Sequence, residues 1–332
     1  MATLSILRPT LLDMAKASDP DGKIATIVEI LTENNEVLED MVWVEGNLPT
    51  GHRTTIRSGI PAPTWRKLYG GVQPNKGTTL QVTDSCGMME AYAEIDKALA
   101  DLNGNTAAFR AAEDYAHIEG MSQEMASALF YATETTTPEK FTGLAPRFNS
   151  LSAANAENII DGGGTGTDNS SIWLVVWGEQ TCHGIIPKGS QAGLQMNDKG
   201  QVTIESIDGA GGRMEAYRTH YRWDAGLTVR DWRYIVRICN IDKSLLTKDA
   251  SAGADLINLM TRALELVPSL GIGRPVFYMP RNIRSFLRQQ MVAQVKQSTL
   301  SMEEVAGKRV LAFDGVPVKR VDKLAADEAR IT

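Results

Sequence analysis

Cysteine is scarce: Cys86, Cys182 and Cys239 are the only three in 332 residues. An odd, widely spaced set gives neither a disulfide framework nor a CxxC pair for zinc or redox work. It suits a protein made and kept in a reducing cytoplasm. Histidine is nearly as rare; His52, His117, His183 and His220 show no ligand-like spacing, so no metal centre is expected. The opening MATLSILRPTLLDMAKASDPDG lacks a basic region followed by an apolar run and a small-residue cleavage site. No stretch is apolar for long enough to cross a bilayer, so no membrane partner is expected. A basic excess is missing too: 34 Lys and Arg face 40 Asp and Glu, a net charge of −6, which argues against a dedicated nucleic-acid binder. Aromatics make up only 6% of the chain, although six of them are Trp. Thirteen Met, in contrast, favour adaptable contact surfaces.

What is present is an ordinary globular composition, 43% hydrophobic and 22% charged, enough for one large or two modest domains. Charge is segregated along the chain. Residues 1–50 hold nine acidic and three basic residues, with helical patterns at Thr10–Lys16 and Ile24–Leu38 split by the turn Asp19-Pro20-Asp21-Gly22. Residues 51–83 hold no acidic residue and five basic ones, Arg53, Arg57, Arg66, Lys67 and Lys76. Thr54 and Ile56, then Leu80 and Val82, alternate with polar neighbours as in strands. Between them runs GIPAPTWRKLYGGVQPNKG, a long connector rich in Pro and Gly. An isolated two-stranded ribbon is marginal in water, so something outside it must support this one.

Met89 to Ile95 continues as an alternating strand, and a helix is predicted over 106–131, with Phe109, Ala112, Ala116, Met121, Met125 and Leu129 on one face and Thr137-Pro138 to end it. Further on the pattern is mixed. Strands are expected at Ile172–Trp177, Val202–Ile207, Met214–Trp223, Trp232–Ile238 and Val276–Pro280. Helices are expected at Ala254–Val267 and Arg281–Gln297, and a hairpin around Asp314-Gly315.

Each motif with chemical promise fails on spacing. Gly162–Gly166 has no following Lys for a phosphate loop, and Thr167 breaks the dinucleotide fingerprint. The run IWLVVW that follows reads as a buried strand after a flexible turn. Cys182 and His183 are adjacent, so on a strand they point to opposite faces and cannot share a nucleophile–base hydrogen bond; a buried thiol and a half-exposed imidazole are expected. Asp19 and Asp21 lack the later ligands of a calcium loop. Asp224 and Asp231, flanked by Arg222, Arg230 and Arg233, read as structural ion pairs, and Gly189-Ser190 lacks the GxSxG elbow. Neither catalysis nor a cofactor is expected. Arg281, Arg284 and Arg288 fall at i, i+3 and i+7, which gives one basic face for solvent, a neighbouring subunit or phosphate.

An acidic arm, a basic extended hairpin, a long helix and an α/β body cannot bury such projections within one chain, whereas neighbouring copies can. This order resembles the major capsid proteins of tailed bacteriophages, the Hong Kong 97-type fold. GLAPRFNSLS (143–152), SIWLVVWGEQTCHGIIPKGSQAGL (171–194), YIVRICNID (234–242), VFYMPRNIRSFL (276–287) and DGVPVKRVDKL (314–324) resemble its short-tailed-phage branch. The resemblance implies an α+β chain with an N-terminal arm (1–45), an extended β-hairpin with the strand after it (46–95), a peripheral domain with a spine helix (96–172) and an axial domain with returning peripheral strands (173–332). It implies self-assembly in the host bacterial cytoplasm into pentamers and hexamers of an icosahedral shell, part of the virion, around double-stranded DNA. The implied partners are a portal protein, a decoration or cement protein and, because the arm begins almost at Met1, a separate scaffolding protein. No Lys–Asn cross-link is expected, although Asn75 lies near Lys67 and Lys76. Inter-subunit contacts are expected between the hairpin cations Arg53, Arg57, Arg66, Lys67 and Lys76 and the arm acids Glu29, Glu33 and Glu36. Two alternatives are an encapsulin-like cargo compartment of the same fold and an enzyme with a cryptic site near Cys182 and His183.

Overall fold

The computed structural model describes residues 8–9, 33, 35–102, 106–205, 211–248, 250–293, 300–305, 308–324 and 327–332. The helical patterns at Thr10–Lys16 and most of Ile24–Leu38, the turn at Asp19–Gly22, Glu29 and the end of the helix expected to reach Gln297 lie outside them.

Among the described residues the first elements are one helical turn, α1 (Val37–Asp40), and the short strand β1 (Trp43–Glu45). β2 (Gly51–Gly59) and β3 (Thr78–Asp96) follow, then α2 (Lys97–Ala100) and α3 (Thr106–Tyr131). The body is built from β4 (Ile159–Asp161), β5 (Asn169–Trp177), β6 (Cys182–Ile186), β7 (Gln195–Glu205), β8 (Arg213–Val229) and β9 (Ile235–Asp242). Helix α4 (Leu256–Leu266), β10 (Arg274–Met279), helix α5 (Arg281–Ala293) and strands β11 (Leu300–Val305), β12 (Lys308–Phe313) and β13 (Val316–Arg320) complete it. One sheet runs in the order β11-β12-β13-β10-β5-β6-β8-β3-β2, with β9 on β5, β4 on β9, β7 on β8 and β1 on β6.

β5 shows why IWLVVW is apolar throughout: every residue of the strand is buried, because both faces are covered. Ile172, Leu174 and Val176 pack with α4 and α5 (Leu259, Met260, Ile283, Leu287). Trp173, Val175 and Trp177 alternate onto the opposite core, with Phe130, Phe148 and Tyr278. The Trp177 indole donates to the Tyr278 hydroxyl at 2.7 Å, which in turn donates to Asp40. The Asp314-Gly315 turn takes φ values of +50° and +76°, the paired positive angles of a tight hairpin.

Two expectations are corrected, and one helix end is explained. Ala116 is exposed and only Phe109 is buried in the first half of α3; the core grips the second half, through Met121, Met125, Leu129 and Phe130. The helix ends at Tyr131, as expected, and beyond it Gly143 and Leu144 donate their N–H groups to the carbonyls of Ala132 and Leu129. Trp232–Tyr234 is a 3-10 turn, not strand, because the Asp231 carboxylate caps it by accepting from the Arg233 N–H.

Candidate assembly interface

β3 is two strands in one. Its second half pairs with β8 from Cys86 to Asp96 and belongs to the body, whereas its first half pairs only with β2. The last buried residues before the ribbon leaves the body are Thr54 on β2 and Asp84 on β3, whose carboxylate accepts from Arg147 at 2.9 Å. Arg147 also donates to the carbonyls of Thr142, Gly143 and Leu227, so the ribbon is clamped at its root. Beyond that clamp, from Thr55 to Thr83, no residue is buried.

All five cations of the ribbon are exposed, and none forms an ion pair among the described residues. Arg53 reaches only the Thr83 hydroxyl, at 3.2 Å. The charge pattern of the sequence therefore falls on a segment that stands exposed. It missed the apolar tip: Trp65 is 100% exposed, Tyr69 98%, Ile60 85% and Leu68 80%. No periodicity flags these residues; the available signal is a lone Trp within a Pro- and Gly-rich connector. Large apolar side chains gathered on a projection mark a contact surface.

Of the expected acidic partners, Glu29 lies outside the described residues, and Glu33, like Asp40 and Glu124, is engaged within the chain. Glu33 pairs with Lys323 at 3.3 Å, Asp40 with Lys319 at 2.6 Å and, on α3, Glu124 with Lys140. Glu36 lies in the field of Arg284 and Arg320. Beside the ribbon root is a small hollow of about 160 Å³, lined by Met88, Met89, Met125, Phe141 and Trp223, with Glu124 and Glu139 at its rim.

The residues with chemical promise are structural. Gly162 and Gly164 donate their N–H groups to the carbonyls of Cys239 and Asn240, and a Cβ on Gly164 would stand 2.5 Å from the Asn240 oxygen. The glycine run thus lets the backbone lie against β9. Cys182 and His183 do point apart on β6, but His183 is 1% exposed, not half-exposed, because β1 and β8 flank it and its ring meets that of His52 edge-on at 5.8 Å. Neither ring nitrogen has a partner within normal hydrogen-bond geometry among the described residues. Burial, aided by His52 and Arg230, holds its pKa down at about 4. Burial likewise raises the Cys182 thiol far above its usual range, Cys86 to about 12 and Cys239 to about 11. These thiols are not activated nucleophiles. Asp224 pairs with Arg222 at 2.8 Å and Asp231 with Arg233 at 2.7 Å, while Arg230 donates to the Glu179 carbonyl.

Comparison with known proteins bears on this projecting ribbon and inert interior. The family model described as major capsid protein GP7 matches residues 19–332. No curated protein sequence matches. Among solved structures, a chain of bacteriophage Epsilon15 is 40% identical over 100% of this chain and 99% of its own, with a TM-score of 0.79. The capsid of bacteriophage JBD30 is 11% identical over 96% of this chain and 99% of its own, at a TM-score of 0.47. An encapsulin from Synechococcus elongatus PCC 7942 is 10% identical over 71% of this chain and 96% of its own, at 0.43. The protein therefore belongs to the GP7 family of major capsid proteins, structural subunits and not enzymes, of the Hong Kong 97-like fold, which build the icosahedral capsid of a tailed phage.

Proposed function

We propose that each copy lays its ribbon across a neighbouring copy, and that this contact closes pentamers and hexamers into a shell around double-stranded DNA. The observation that carries the reading is the ribbon itself: from Thr55 to Thr83 nothing is buried, yet that span bears six exposed large apolar side chains and, with Arg53 just before it, the ribbon carries five cations without acidic partners among the described residues. The hollow at a neighbour's ribbon root takes an apolar side chain, and Glu139 at its rim complements Arg66 and Lys67 beside Trp65. In this reading residues 1–45 act as an arm, 46–95 as the reaching ribbon, 96–172 as a peripheral unit and 173–332 as an axial one. A separate scaffolding protein, a portal and a decoration protein are its further partners by family membership, with assembly in the bacterial cytoplasm.

The test is electron microscopy of particles made in bacteria by this chain, with and without the ribbon tip (residues 61–76 replaced by a short Gly-Ser turn). Closed particles from the intact chain and only small oligomers from the shortened one support the reading. Closed particles from both would remove the ribbon from it. Nuclease-resistant DNA inside particles from infected cells tests the cargo.

A further inference from the structure

A second concentration of positive charge lies away from the ribbon. Residue Arg320, at the end of β13, stands in register with Met279 of β10, and the next residues after Met279 are Pro280 and Arg281, the start of α5. The parallel pairing therefore places Arg320 beside the first turn of that helix, from which Arg281, Arg284 and Arg288 project on one face. A third element closes the other side. Gln290, fully buried on α5, donates to the carbonyls of Thr247 and Ala254 and accepts from the Leu256 N–H. It thus holds the loop after β9 against the helix, and Lys248 comes to line the same groove.

The groove measures about 760 Å³, and its walls carry Lys248, Arg281, Arg284, Arg288 and Arg320. The Asp322 carboxylate bridges Arg281 and Arg320 from one flank. Glu36 adds a second negative charge nearby. Two acids against five cations leave the groove strongly positive, and the N-terminal end of α5 adds to the same sign. Arg284 is the centre of the cluster. Its Nε is buried and has no hydrogen-bond partner among the described residues. Burial and the charges of Arg288 and Arg320 weigh against its protonated state. A fold that keeps a cation there, with a donor unpaired, has left a place for an anion whose oxygens can take a forked guanidinium pair.

We propose that this groove is a binding site for linked phosphate groups, either the backbone of the enclosed nucleic acid or a free oligophosphate. Guanidinium forks from α5 and β13 meet successive phosphates, and the Lys248 ammonium supplies a point charge at the exposed edge. Such contacts are indifferent to base sequence, as a wall facing a genome of any sequence requires. The nucleic-acid source rests on the capsid reading above; the oligophosphate source does not.

The experiment uses purified full-length subunits. Fluorescence anisotropy with a short fluorescein-labelled DNA duplex reports one source, and calorimetric titration with tripolyphosphate reports the other. The paired substitution Arg284→Gln with Arg288→Gln is expected to weaken binding by about tenfold or more and to flatten the slope of log affinity against log salt by roughly two. Lys248→Gln, exposed and outside the helices, is expected to lower that slope by about one, and it decides the matter if the double variant does not fold. Loss with both ligands shows that oligophosphate suffices, whereas binding and loss with duplex alone identify the nucleic-acid backbone. Unchanged affinity in these variants, or an equal loss in a ribbon control (Arg53→Gln with Arg57→Gln), overturns the proposal. Particle formation by the same variants, read by electron microscopy, separates failure of the groove from failure of the capsid reading.

Discussion

Arg237 and Glu328 form an ion pair at 2.7 Å with side chains only 5% and 6% exposed, so its partners decide whether the core tolerates it. Arg237 also donates to the Phe148 carbonyl and to Ser171, and its guanidinium lies 4.9 Å from the centre of the Trp173 ring. Glu328 accepts from Tyr131 and Ser171 as well. The pair ties the last residues of the chain to β5, β9 and the end of α3. Removing one partner strands the other charge, so Glu328→Gln or Arg237→Met is expected to cost about 3–5 kcal/mol in urea unfolding. A loss below 1 kcal/mol, on that same scale of about 3–5, would mean that solvent reaches the site. His183 makes a pH-dependent contribution of known sign. Its folded pKa of about 4 lies below the ordinary value of 6.5, so the unfolded chain takes up the proton first. The stability that His183 confers by staying neutral is complete above pH 6.5 and declines as pH falls toward 4, by about 3 kcal/mol in all. His183→Leu should flatten that part of the wild-type stability profile, and identical profiles would show that the imidazole does not titrate there. Cys182→Ala, by contrast, should leave particle formation unchanged, as read by electron microscopy, because its thiol has no chemical role.

At the scale of elements, the ribbon and the body should respond oppositely to substitution. Trp65 contributes nothing to the fold of its own chain, so Trp65→Ala should leave the melting temperature within about 1 °C of wild type. The same change removes a side chain that can bury 150–250 Å² or so against a neighbour. Light scattering should therefore show slower assembly, and an unaltered rate would place the tip in solvent within the shell. The elements differ in how legible they were for the same reason. β5, α4 and the Asp314-Gly315 hairpin were readable because their own chain covers them, which writes the period of burial into the sequence. The first half of α3 and the ribbon tip carry no such record, because Ala116 and Trp65 are exposed and not covered by the described residues of their own chain. The burial of His183 was hidden too, since it depends on the distant strands β1 and β8. The basic groove was half visible: Arg281, Arg284 and Arg288 share a helical face, but only the register of β13 on β10 adds Arg320.

Across the whole molecule, charge is sorted along the chain and then partly reunited by the fold. Residues 1–50 carry nine acids and three bases, residues 51–83 five bases and no acid. The fold answers the first segment but not the second: Glu33 and Asp40 find Lys323 and Lys319 of the same chain, whereas the ribbon cations stand free of acids among the described residues. Specific pairs between ribbon and arm would thus have to break pairs that exist, at no net gain when an exposed pair is worth only about 0.2–1 kcal/mol. What remains is a longer-range effect, in which a positive ribbon approaches a subunit whose total charge is −6. Attraction of that kind guides encounter and register more than it adds affinity, and it weakens once the screening length falls to about 3 Å in molar salt. Reversing Arg53, Arg57 and Arg66 to Glu together should slow shell formation several-fold while the subunit melts as before. High salt should slow the wild type toward the variant's rate. Because no pair within the chain is lost, a fall in subunit stability would contradict the exposed placement of these side chains, and an assembly rate indifferent to both reversal and salt would leave the apolar tip as the whole of the contact.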